Sequence, residues 1–130
     1  MRAAPADVPA VVFLLPVWGE RYISQFLDLS LRTLLAPGNI PAVAAECDCT
    51  FRILTTAGQE VHFQGHPMFD LLSRHGRVVF TAIDDLVVPG VHSLTVTEAY
   101  LRGMRASGPA MTQTYFVFLC LLYTSPSPRD

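Results

Sequence analysis

The chain has 130 residues, a formal net charge of −2, 51% hydrophobic and 15% charged residues. This bounds it to one domain or part of one, with ample apolar side chains for a core. Its positive charge comes from arginine, with no lysine and no basic run, so nucleic-acid binding has no electrostatic footprint, while a small anion such as a nucleotide diphosphate stays compatible.

Residues 1–9 read as a flexible amino terminus. VVFLLPVW, 11–18, is a continuous apolar run ending in Pro and Gly, the pattern of a fully buried strand that feeds a loop. From Glu20 the spacing changes. Tyr22, Ile23, Phe26, Leu27, Leu29, Ser30, Leu31, Leu34 and Leu35 recur at intervals of three and four, which predicts an amphipathic helix of about four turns, stopped by APGNIP. Tyr22, one turn into that helix, is expected to pack in the core.

CTFRILTT, 49–56, reads as a second strand and the segment Pro67 to His75 as a helix. RVVFTAIDDL, 77–86, reads as a third strand that delivers Asp84 and Asp85 into a loop. A helix follows over 93–108, then a fourth apolar strand, MTQTYFVFL. The order β-α-β-α-β-α-β predicts an α/β fold, a mostly parallel sheet with helices on both faces. Ligands of such sheets bind outside the carboxyl ends of the strands. The loaded loops there are PVWGERY after strand one and DDL after strand three.

Cys47 and Cys49 form a C-x-C pair, which is neither a C-x-x-C metal or redox site nor a disulfide framework. Reduced thiols fit a cytoplasmic location. His62 and His66 have no acidic residue of the H-E-x-x-H kind between them, and Pro67 breaks the run, so no metal site is expected. The longest apolar stretches, VPAVVFLLPVW and YFVFLCLLY, fall short of the ~20 residues of a membrane span. No signal peptide is expected either.

Neither a G-x-G-x-x-G turn, a P-loop nor a G-x-S-x-G elbow is present, so dinucleotide, P-loop and α/β-hydrolase readings lose their chemistry. VVFLLPVWGERYISQFLDLSLRTLLAPGNIP, with the later strands FRILTT, VVFTAIDD and YFVFL, resembles the amino-terminal, nucleotide-binding half of an A-type glycosyltransferase with its Rossmann-like fold. PVWGERY departs from the commoner Pro-x-x-Asn form. The resemblance implies transfer of a sugar from a nucleotide-diphosphate sugar to an unknown acceptor. It places nucleotide-sugar contacts at Pro16, Trp18, Glu20, Arg21, Tyr22, Asp84 and Asp85, with the catalytic residues unknown. Trp18 would stack on a base, Arg21 would meet the diphosphate near a helix amino terminus, and Asp84 or Asp85 would accept from the ribose or base. Each has a plain alternative: a core aromatic, a solvated arginine, a first-turn glutamate and a turn-capping aspartate. Arg102 and Arg105 read as solvated surface, and Glu98 as an exposed helix residue.

In the resembled fold, strand four runs into an Asp-x-Asp motif holding a divalent metal, Mg or Mn. Here the chain passes instead into CLLYTSPSPRD, 120–130, which resembles a translated transposon sequencing adapter and is excluded from the fold reading. The expectation is therefore a partial nucleotide-sugar-binding domain, 10–119, of a truncated enzyme. Such a fragment would be inactive by itself, with the metal only in the longer parent. A sheet halted at its fourth strand also leaves apolar edges that invite aggregation. The alternative is a non-catalytic flavodoxin-like α/β domain for ligand binding or interaction. A nucleotidyltransferase would have been favoured by a Gly-rich, lysine-bearing loop in place of PVWGERY.

Overall fold

The computed structural model describes residues 8–120; the expected flexible start, for residues 1–7, and the adapter-like tail beyond Cys120 lie outside them. Four strands, β1 (Ala10–Pro16), β2 (Asp48–Thr55), β3 (Arg77–Ala82) and β4 (Thr114–Phe118), form one sheet in the order β3-β2-β1-β4. All three pairings are parallel. The α/β class, the parallel sheet and the alternation of strands with helices are as read from the sequence.

β1 is buried along nearly its whole length because it is central and covered on both faces. Side chains alternate across a strand, and the core divides accordingly. Val11, Phe13 and Leu15 join Cys49, Phe51 and Ile53 beneath α1 (Glu20–Gln25), α2 (Leu31–Leu34), α3 (Ile40–Ala44) and α4 (Pro67–Ser73). Val12, Leu14 and Leu54 face the other way, with Ile83 and with Ala99 of α5 (His92–Arg105). Gly103 lets α5 lie close on the sheet: a Cβ there would stand 2.7 Å from Leu14 Cδ2. Arg52 ties down the end of the same helix, donating to the Gly103 carbonyl at 2.7 Å and the Ser107 hydroxyl at 3.3 Å.

Several boundaries differ from the sequence reading. The first long helix carries a π-helical turn, Phe26–Ser30, between α1 and α2. Its buried stripe is Ile23, Phe26, Leu27 and Leu31, whereas Leu29 is exposed. Tyr22 is a correction: it is 36% exposed and lies off that stripe, with the Arg21 guanidinium 5.8 Å from its ring centre. Pro41 stops nothing; it sits in the first turn of α3, where the absent N–H costs no hydrogen bond. β3 ends at Ala82 rather than Leu86, because Asp84–Leu86 turns into a 3-10 segment after the Ile83 N–H donates to Thr55 O at 3.0 Å. Another 3-10 segment, Gly108–Gln113, takes what reads in sequence as the start of β4.

Candidate functional site

With the order β3-β2-β1-β4, chain direction along the sheet reverses between β1 and β4, so the carboxyl end of β1 lies at the topological switch point. Pro16 is buried there as the last residue of β1. Val17 still donates to Leu54 O at 3.0 Å, which holds the outgoing chain against β2. Gly19 then adopts φ +92°, a conformation that suits glycine, and turns the backbone into α1 without a side-chain cap. Glu20 and Arg21 follow on the exposed first turn.

Trp18 is half-buried and stacks on His92 at the start of α5, ring centres 4.8 Å apart and planes 28° from parallel. Burial pushes the His92 imidazole down from its ordinary pKa, which favours the neutral ring. The indole therefore already has one aromatic partner, contributed by an element far away in sequence.

The acidic pair lies two strands away, beyond β3. Asp84 Oδ1 accepts the Ala57 N–H at 2.9 Å and so staples the loop after β2. Asp85 receives Arg102 at both carboxylate oxygens, each at 2.6 Å, while the same guanidinium donates to Ala82 O at 3.1 Å. The two aspartates thus point to different neighbours, and neither lies on the β1 loop. Arg102 is a correction to the solvated-surface reading. The three-residue spacing of Arg102 and Arg105 put both on the exposed side of α5, but no sequence spacing could show that Asp85 folds beneath one of them. Glu98 is exposed, as expected.

The forked hydrogen bond from Arg102 holds the Asp85 carboxyl down to about 2. A carboxylate depressed in the folded state stabilises above its unfolded pKa and loses that contribution as pH falls toward the folded one. The stability difference between the wild type and Asp85→Asn is therefore expected to be constant at neutral pH and to shrink between the ordinary carboxylate range and about pH 2. Urea unfolding across that window reads it. A difference that stays constant down to pH 2 would mean that the pair contributes nothing through its charge.

A groove of about 380 Å³ opens beside the carboxyl ends of β1 and β4, between Leu15, Phe26, Leu34 and Leu119, with Ser30 and Thr33 at its wall. It has no charged wall and takes none of the seven residues singled out in the sequence, so its chemistry suits hydrocarbon rather than a diphosphate. Burial, helped by neighbouring Cys47 and Asp48, raises the Cys49 thiol, which is a core group rather than a nucleophile. Among the described residues no group of three His, Cys, Asp or Glu side chains converges on a metal position. No helix among them is long and apolar enough to cross a membrane.

What these features define is a small α/β domain with a four-stranded, all-parallel sheet and an uncapped loop-to-helix turn at its switch point. Compared with known proteins, the chain matches no family model, no curated protein and no solved structure.

Proposed function

We propose that the domain binds a nucleotide-diphosphate sugar at the carboxyl edge of β1, as the donor half of a glycosyltransferase. The observation that carries this reading is the placement of Pro16, Trp18, Gly19 and the exposed Arg21 at the switch point of a parallel sheet. In this reading the base stacks on Trp18 and Arg21 pairs with the diphosphate, whose charge the first-turn backbone N–H groups also favour. Asp84 and Asp85 act indirectly, by setting the shape of the loops after β2 and β3 through Ala57 and Arg102. The divalent metal and the groups that activate the acceptor belong, in this proposal, to a longer parent chain, and the 130-residue chain binds without transferring.

Trp18 is the single tryptophan of the chain, so its fluorescence reports this loop alone. Titration with a nucleoside diphosphate is expected to quench it saturably. Trp18→Ala, followed by calorimetry, should weaken binding about tenfold, since stacking on one base is worth roughly 1–3 kcal/mol. His92 occupies one aromatic face of Trp18, so His92→Ala is expected to tighten binding if the base replaces the imidazole. No heat and no quenching with any nucleoside diphosphate would overturn the reading.

A second reading is favoured by one specific observation, the internal pairing of both aspartates: a non-catalytic α/β domain that binds a small ligand or partner at the same loops. The uninterrupted gene, amplified outward from the codons for residues 111–119, separates the two. Closely spaced acidic residues directly after the fourth strand support the transferase, and their absence supports the binding domain.

A further inference from the structure

The two edges of the sheet are unequal. At the β3 edge, Arg102 covers the outward Ala82 carbonyl, and Arg77 places a charge at the start of the strand, paired with Asp48 at 3.5 Å. Capping and charge of this kind protect an edge against pairing. At the β4 edge there is neither. The segment Gly108 to Leu119 has no charged residue, β4 itself has no proline, and among the described residues no strand lies outside it.

The backbone sets which groups that edge offers. The Leu119 N–H donates to Leu14 O at 2.9 Å, so Tyr115, Val117 and Leu119 turn their backbone groups toward β1. By alternation, those of Thr114, Phe116 and Phe118 turn outward. The Thr114 N–H is taken by Met111 O, which leaves its carbonyl. The side chains are also open: Tyr115 is 69% and Phe118 51% exposed.

We propose that β4 pairs antiparallel with β4 of a second copy of this chain across a two-fold axis at Phe116. In an antiparallel ladder, outward residues must stand opposite outward residues, and over this strand the register with the fullest overlap sets Phe116 opposite the partner's Phe116. The two Phe116 residues exchange both hydrogen bonds, and each Phe118 N–H meets the partner's Thr114 carbonyl. Tyr115 then lies opposite the partner's Val117 on the α1–α4 side, an aromatic and β-branched pair of the kind that stabilises sheets. Phe118 lies opposite the partner's Thr114 on the α5 side. With no charge in the segment, the two-fold axis brings no like charges together. The result is a single eight-stranded sheet whose outer strands are the two β3 edges, each blocked at one end by Arg102 on Ala82 O and charged at the other by Arg77, so assembly is expected to end at two copies.

Size-exclusion chromatography with light scattering on the full 130-residue chain tests this over a dilution series. The expected mass is twice the 14.3 kDa of one chain, falling toward one on dilution. Phe116→Pro removes an outward N–H that β1 does not use, so the ladder to β1 is kept while part of the Phe116 packing on the α5-side core is lost, and the dimer is expected to dissociate at least about tenfold more readily. Tyr115→Lys, at an exposed position, should do the same and guards against loss of folding in the first variant; circular dichroism checks both. A single-chain mass at every concentration, a dimer that survives in both variants, or open-ended polymers without a dimer would each overturn the proposal.

Discussion

Replacing Leu14 with alanine is expected to destabilise the domain by about 3–5 kcal/mol, the range of buried Leu→Ala changes at sites that collapse poorly. Leu14 lies on β1, the strand bonded on both sides, and has no solvent exposure. It packs with Val12, Leu54, Ile83 and Ala99, two of them from the neighbouring strand and the loop after β3 and one from α5. The strand cannot move to fill the space, because both neighbours hold it in register. Next to the vacated volume stands Gly103, whose missing Cβ would meet Leu14 Cδ2 at 2.7 Å and Leu54 at 3.3 Å. Gly103→Ala alone should therefore destabilise by overpacking, about 1–3 kcal/mol, against a helix-propensity gain of up to about 1 kcal/mol. In the double variant the added methyl occupies part of the space that Leu14 leaves. The two effects should then sum to less than their separate values, a coupling of about 0.5–3 kcal/mol. Urea unfolding of the four proteins measures it. Strict additivity would mean that α5 does not rest on Leu14 as described.

Gly76→Ala is expected to be the more damaging of the alanine substitutions at glycine. Its Cβ would collide with the Cys49 carbonyl oxygen and stand 2.9 Å from Phe51 Cε2. Backbone oxygen has no rotamer to escape into, and Cys49 is held on its other side opposite Val11 of β1. The strain must go into displacing the start of β3, where Arg77 pairs with Thr50 both in register and through a 3.0 Å side-chain hydrogen bond. A loss of about 3 kcal/mol, the upper end of overpacking costs, is the expected result. Gly38→Ala is the control, since its Cβ would meet nothing within 4 Å, and a surface change of that kind stays within about 0.5 kcal/mol. Equal stability of the two variants, read from their urea midpoints, would show that β2 and β3 are not held as close as this at their amino ends.

Both variants probe the packing between elements, and the elements themselves are largely local in origin. The unbroken run from Val11 to Val17 could only be buried on two faces, and the three- and four-residue spacing after Glu20 could only be a helix with one apolar side. Four strands separated by helices then imply a parallel sheet, because a parallel neighbour requires a crossover. The place of the loop after β1, at the carboxyl edge of the sheet, was legible for the same reason.

What local pattern carries weakly is the last residue of each element and the partner of each side chain. The apolar character of Tyr22 says nothing of its place off the stripe through Ile23 and Phe26. The pairing of Asp85 with Arg102 and of Trp18 with His92 joins residues brought together by the α5 crossover. No spacing along the chain encodes these contacts.

By itself, then, the sequence determined the α/β class, the parallel sheet and the loop at the end of β1, because hydrophobic periodicity and turn residues act over a few neighbours. The tertiary structure alone decided the strand order 3-2-1-4, the commitment of Asp84 and Asp85 to Ala57 and Arg102, and the contrast between a guarded β3 edge and an open β4 edge. Those depend on how the crossovers lay distant segments side by side, a choice made by the burial of both faces of β1 together rather than by any one segment.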